Sequence, residues 1–527
     1  MRTLSVTLAL ACSALRPPSA RRRPRTIRRS EESPYVSDLE QPPGPHATKW
    51  LATSENNDQW IEFDERHYRS MYADMTRTEM FTQTLEKKLS KFPPKTAIVC
   101  DLGTGPYLLF AKAAAAAGAR KVYAIEAVPG SQKKARQELQ MLEQADNSGV
   151  EPGVIELVCG FSTDVELPEK VDILISEIAG SIASEEGVYA TIKDARERFV
   201  KAPRDPESFV PFSYETWGAP GTDLCHHSGG AQSIPNDGTA LRIDSQDDSM
   251  QLLSDPVRVE DIQFSGELPA DGIVQDTLAW TVDPARIAAN ERTFGAILGK
   301  DREAIEANGL DVERLARDVS RSLTGIALWP TIVFEPDRSV VYETRGPRGE
   351  MRLSHWPTVL PPLRKRPLLM APGTQITAAW TANLRDGKPS TPLEYSLECD
   401  TRPPSDPAAG EAATVEAAAR LAEAPVAEAP VAQERWEVSE GSAQWEQDEA
   451  DLAALKKARD DALRVGWAAS GQSVSADFMA AAASAPRAGV PADFVAADWV
   501  SALDEASGKT YYYNAQTGAS SWVWPPV

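Results

Sequence analysis

The chain has 527 residues and a net charge of −22, and its first thirty residues hold eight arginines and no acid, leaving the remainder close to −30. So acidic a body argues against a general nucleic-acid binder and favours basic partners. No run approaches the roughly eighteen apolar residues that a membrane span needs, and the five scattered cysteines form no C-x-x-C pair that would suggest a zinc site.

Residues 1–30 read as a targeting segment. LSVTLALACSAL (4–15) suits the apolar core of a signal peptide, and the acid-free, arginine-rich RPPSARRRPRTIRRS follows it. The pair resembles a bipartite plastid leader, with a mitochondrial presequence as its rival; without a leader, cytoplasm or nucleus remains. Residues 31–59 are polar and proline-bearing and read as a linker. Over 60–210, apolar runs at KTAIVC (95–100), KVYAIEA (121–127), VIELVCG (154–160) and VDILISE (171–177) alternate with helical patterns at 106–118 and 131–145. That order predicts an α/β fold with a doubly wound parallel sheet. From 211 to 400 short β-rich runs predict a barrel or sandwich, interrupted by a helical insert at 284–323. Residues 401–495 read as a flexible acidic linker of low complexity, with EAPVA at 423–427 and again at 428–432 and a candidate helix at 448–466. A small three-stranded unit occupies 496–527.

Two stretches carry chemistry. In the first, the loop DLGTG (101–105) follows a strand, precedes a helix, and is followed by an acid at the end of the next strand, Glu126. This is the nucleoside-binding βαβ order: Gly103 and Gly105 let the backbone approach a ligand, and Glu126 can accept from ribose hydroxyls. Asp101 just before G-T-G, and the absence of G-x-G-x-x-G, favour S-adenosylmethionine over a dinucleotide, since there is no pyrophosphate to cradle. The second is SEIAGSIASEEGV (176–188), which places Glu177, Glu185 and Glu186 after a buried strand. Carboxylates there cost free energy unless a cation meets them. By itself the stretch also reads as a solvated loop with a helix starting at Ser184.

With these residues in place, the region 60–400 resembles the protein arginine methyltransferases. Four blocks carry the resemblance: MYADMTRTEMF (71–81), the DLGTG loop with Glu126, the double-glutamate (double-E) hairpin, and SHWP (354–357). It implies a Rossmann-like methyltransferase domain, a β-barrel domain, S-adenosylmethionine as cofactor and arginine in proteins as substrate, Gly/Arg-rich segments among them. It implies that Met71, Arg77, Asp101, Gly103, Gly105 and Glu126 hold the cofactor, with Arg77 on the methionine carboxylate. Glu177 and Glu186, nine residues apart, would grip the guanidinium; Glu185 lacks that spacing. His355 and Asp74 would form the proton-accepting pair, although His355 alone also reads as a structural neighbour of Trp356. Met71, where the family's symmetric dimethylating members carry phenylalanine, and His355 incline the expectation to asymmetric dimethylarginine, while SEIAGSIASEEGV is closer to the hairpins of the symmetric and monomethylating members. The insert either replaces the family's dimerisation arm, giving a homodimer, or elaborates the domain.

There are departures. Pro106 and Tyr107 stand where the family has a third glycine, Ser354 replaces a threonine, and His67 is one residue out of register. Tyr107 keeps open a second reading, a catalytically weak methyltransferase fold serving as a scaffold.

WVSALDEASGKTYYYNAQTGASSWVWPP (499–526) resembles a WW domain. The resemblance implies a groove of Tyr511, Tyr513 and Trp522 that takes proline-rich peptides, with Ala515 in the place of a histidine that reads P-P-x-Y ligands. His226–His227 lacks a third ligand and RKR (364–366) is short, so neither is taken as a site.

Overall fold

The computed structural model describes residues 46–52, 71, 74–144, 150–229, 240–364, 366–384 and 393–423, together with the backbone of three strands between 499 and 521. The targeting segment, His67, the repeats beyond Glu423, the helix read at 448–466 and Trp522 lie outside the described residues. The chain divides into two units at Val426/Ala427.

In the first unit five parallel strands are ordered Ile155–Cys159, Lys121–Glu126, Ile98–Leu102, Ile173–Ser176 and Phe209–Val210. All five residues of Ile98–Leu102 are buried, as expected of a central strand covered on both faces. The chain runs outward from this strand to 121–126 and 155–159, then crosses to 173–176 on its other side. That reversal opens a crevice at the carboxyl ends of the strands, where ligands bind in such sheets. DLGTG leaves one strand there and SEIAG another.

The helix predicted at 106–118 is shorter, Leu109–Ala116, because Leu108 takes a left-handed conformation (φ +51°) ahead of it. Pro106 and Tyr107 therefore belong to the glycine loop and not to a first helical turn. Similarly, the helix after the hairpin is Val188–Phe199, started by left-handed Gly187. Ser184, Glu185 and Glu186 are thus hairpin residues, which removes the reading of a helix starting at Ser184.

Beyond residue 211 two larger antiparallel sheets form, beside the short antiparallel pair Ser322–Leu323 and Leu368–Leu369. One is ordered Val257–Gln263, Ser213–Asp223, Gly325–Val333, Thr358–Leu360 and Leu241–Ile243, with Met250–Leu252 and Val341–Glu343 pairing off this path. The other is ordered His46–Ala52, Leu393–Arg402, Gln375–Asn383 and Ile273–Thr281. The first of these strands corrects the linker read at 31–59. His46 pairs with Cys399 and Ala52 with Leu393, and Trp50 is buried against Trp380 and Tyr395. An isolated tryptophan in a polar stretch was the available signal.

The insert comprises helices Pro284–Gly299, Arg302–Ala307 and Val312–Ser320, with a small core of its own around Phe294, Leu298, Leu315 and Val319. A second correction lies at 401–495, where Pro407–Glu423 is a helix and not a linker. Its AAGEAATVEAAARLAE is rich in the strongest helix formers. Arg321 pairs with Glu411 and Arg292 donates to Leu421 O (3.1 Å), so this helix fastens onto the insert.

In the second unit, Trp499–Leu503 pairs antiparallel with Thr510–Asn514, and that strand with Ser520–Ser521. Tyr511 and Tyr513 sit two residues apart on the middle strand.

Candidate active site

The hairpin is anchored from both sides. Ser176 donates to Leu102 O (3.1 Å), and the Tyr214 hydroxyl donates to Ser176 O (2.6 Å), pinning the strand end from which Glu177 emerges. Trp356 donates its indole N–H to Ala179 O at 2.8 Å. Ala179 and Ala183 pack into the core of the parallel sheet, whereas Ile182 packs into the β-region core with Trp50, Trp280 and Trp380. The glutamates are therefore carried on a segment clamped between two cores, which fixes them as no solvated loop would be fixed.

Glu177 forms a buried ion pair with Arg77, whose other terminal nitrogen donates to Met71 O (2.9 Å). Arg77 comes from helix Met75–Leu89, and Asp74 caps that helix by accepting the Arg77 backbone N–H at 3.1 Å. The capping carboxylate has a second use. Its Oδ2 accepts from the Tyr342 hydroxyl (2.5 Å) and pairs with His355 Nδ1 (3.0 Å). Burial would raise the Asp74 carboxyl, but hydrogen bonds from His355, Tyr342 and the Arg77 N–H outweigh it and hold the group below its ordinary value. Burial, reinforced by Arg77, lowers His355 against the opposing pull of Asp74. An ionised Asp74 beside a neutral imidazole puts the ring proton on Nδ1 and leaves Nε2 as the basic nitrogen.

Glu186, on the same hairpin, forms no ion pair among the described residues. Burial, then the charges of Glu177 and Glu185, push its carboxyl well above the ordinary range, and Arg242 opposes them. Glu185, which lacks the nine-residue spacing, points to a different partner: its Oε1 pairs with Arg242 of strand Leu241–Ile243. Beneath the hairpin, buried Glu260 accepts from Ser184 (3.0 Å) and Thr216 (2.7 Å), and burial raises it to about 7. Tyr342, Arg242 and Glu260 carried no sequence signal, because each is reached only through strand pairing far along the chain.

The glycine loop holds its predicted residues together. Gly105 N–H and Val128 N–H donate to the two oxygens of Glu126, each at 2.8 Å. Each oxygen keeps a second lone pair for a hydroxyl. Asp101 is fully buried; Thr104 donates to its Oδ2 at 2.6 Å, and burial raises the group to about 7. Its Oδ1, like Arg77 Nε, is buried without a hydrogen-bond partner among the described residues. Gly103 is left-handed (φ +78°), and a Cβ there would lie 2.9 Å from Ile178 Cγ2. Small residues, a ribose-facing carboxylate and unpaired polar atoms in one crevice fit an adenosyl amino-acid cofactor. Gly103→Ala is expected to cost about 1–2 kcal/mol in backbone conformation alone, and it pushes on the residue next to Glu177. Calorimetry with S-adenosylhomocysteine should show at least a tenfold weaker affinity; an unchanged affinity would separate this loop from the cofactor.

A doubly wound sheet with a ribose-ready glycine loop, joined to a β region whose His355 meets Asp74 at the cap of helix Met75–Leu89, has the architecture of a Rossmann-like methyltransferase domain. Comparison narrows the class. The chain is 35% identical over 135 residues to protein arginine N-methyltransferase PRMT10 of Arabidopsis thaliana, covering 26% of this chain and 32% of that protein. It is 29% identical over 160 residues to protein arginine N-methyltransferase 6 of Danio rerio, covering 30% and 43%. The crystal structure of Arabidopsis thaliana protein arginine methyltransferase 10 matches at a TM-score of 0.45 and 20% identity, covering 65% of this chain and 94% of that one. The WW domain model matches residues 495–524. Over about a quarter of its length the chain is similar to protein arginine methyltransferases, and it carries a WW domain at 495–524; the match spans about a third of the length of the first curated relatives.

Proposed function

We propose that this chain methylates arginine side chains of proteins, using S-adenosylmethionine. The observation that carries the reading is the pairing of Glu177 and Glu186 on one rigid hairpin, next to an Asp74–His355 pair and above the glycine loop. Arginine stays protonated at any working pH and presents a planar fork of donors. Two carboxylates can hold that fork by paired hydrogen bonds, leaving one terminal nitrogen directed at the cofactor side. When bound, S-adenosylmethionine supplies an electrophilic sulfonium methyl. Catalysis by the protein is then positioning and electrostatics. Glu177 and Glu186 draw positive charge away from the attacking nitrogen, and the proton that nitrogen loses goes to His355 Nε2, with Asp74 stabilising the imidazolium. Met71 beside Arg77 supports the asymmetric dimethyl product, and the WW domain would recruit proline-rich substrates through a tether that raises their local concentration.

The test is incubation of the full chain with labelled S-adenosylmethionine and a Gly/Arg-rich peptide. Mass spectrometry should find added methyl groups on arginine, with the fragmentation pattern of the asymmetric product. No transfer, together with no cofactor binding by calorimetry, would sink the enzyme reading.

A further inference from the structure

Three carboxylates crowd the hairpin, and two guanidiniums of the chain itself already answer two of them. Arg77 takes Glu177 and Arg242 takes Glu185, which leaves Glu186 alone with no resident cation among the described residues. The Arg242 pair is built into the fold. Glu185 folds back toward Gly180, where a Cβ would lie 2.6 Å from its own Cβ, and Ile182 N–H lies 3.4 Å from its Oε2. Its side chain is only 5% exposed, while that of Arg242 is 43% exposed. Arg242 also belongs to the strand that carries the histidine loop into place: it pairs in register with Val359, and Ser245 bonds Ser354 in both directions at 3.0 and 3.2 Å. One ion pair thus ties the glutamate hairpin to the framework of His355.

We propose that Arg242 is a positioning residue for the substrate clamp: by neutralising Glu185 it leaves the Glu186 carboxylate, the half of the clamp with no resident cation among the described residues, to balance one incoming guanidinium that Glu177 also contacts. The inference rests on the arginine-methylating reading above and adds its charge-balancing residue. Without Arg242, a buried Glu185 carboxylate stands beside Glu186 and either attracts the guanidinium to the wrong oxygen pair or forces a proton onto the clamp. Without Glu185, the freed Arg242 swings to Glu186 and competes with the substrate. Loss of both removes one charge of each sign and restores the balance.

The experiment is a double-mutant cycle of Arg242→Gln, Glu185→Gln and the double variant in the full chain, each shown to fold by thermal melting. Both single variants should lose at least tenfold in kcat/KM for a Gly/Arg-rich peptide with KM for S-adenosylmethionine unchanged, and the double variant should return to within about threefold of the parent. A merely structural pair would move both KM values together. A double variant as poor as the worse single, or singles equal to the parent, overturns the proposal. Fluorescence anisotropy of a labelled peptide on the same four proteins decides the matter even where no methyl group is transferred. Binding lost in the singles and recovered in the double upholds the balance while the enzyme reading alone fails; equal or absent binding in all four overturns the proposal.

Discussion

Glu186→Gln is expected to lower kcat for arginine methylation by about 10²–10³-fold, the cost typical of removing one preorganised charge-stabilising group. The same variant should abolish a pH dependence. Because burial and the neighbouring Glu177 and Glu185 raise the Glu186 carboxyl well above its ordinary value, it gives up its proton at a higher pH than an ordinary carboxyl does, and an arriving guanidinium favours the ionised form. Peptide affinity in the parent should therefore rise with pH above the usual carboxylate range, and binding should release a proton. Calorimetry in two buffers of different ionisation enthalpy measures that release directly. Stability runs the opposite way. A carboxyl whose folded value exceeds its unfolded one binds more protons folded, so its contribution falls as pH climbs from the unfolded to the folded value. Glu186→Gln should melt higher than the parent at pH 8 and gain less at pH 5. Wild-type turnover in the variant would show that the clamp lies elsewhere.

Arg77→Ala should damage both stability and activity. The Arg77 and Glu177 side chains are only 3% and 9% exposed, and stranding one member of a buried pair costs about 3–5 kcal/mol. Urea unfolding should register a loss of that order. Arg77→Ala/Glu177→Gln should recover most of the stability, since no charge is then left unpaired, while arginine methylation stays below detection in both proteins. Recovery of turnover along with stability would mean that the pair serves the fold alone. Little loss of stability on the single substitution would mean that water reaches Glu177 in solution.

Much of this arrangement could be read from local patterns. Buried runs separated by helical periods located the parallel sheet, and Gly103, Gly105 and Glu126 fell in the order a nucleoside loop requires. The family resemblance, through its nine-residue spacing, sets Glu177 and Glu186 apart from Glu185, which the fold gives to Arg242. Long-range pairing was not legible. Arg242 reaches the hairpin only because Leu241–Ile243 pairs with Thr358–Leu360, and Tyr342 reaches Asp74 across 268 positions. The strand at His46–Ala52 reads as a linker in the sequence because its partner lies some 350 residues downstream, and HATKWLA taken alone is too polar to announce a sheet. The helix Pro407–Glu423 reads as a flexible linker from its low-complexity composition, but alanine's helix propensity and the docking on the insert prevail.

The strand pairing of His46–Ala52 with Leu393–Arg402 also sets a clock. At synthesis rates of about 5–20 residues per second, roughly 20–70 seconds separate the appearance of Trp50 from that of Tyr395, its stacking partner. Throughout that interval the tryptophan has no finished core to enter, and the β region remains open at one edge. The parallel sheet, whose strands all lie between residues 98 and 210, can close well before. Assembly during translation is therefore ordered by geometry: the crevice of the parallel sheet comes first, and the four-stranded β sheet is completed last, when its earliest-made strand meets its latest-made one.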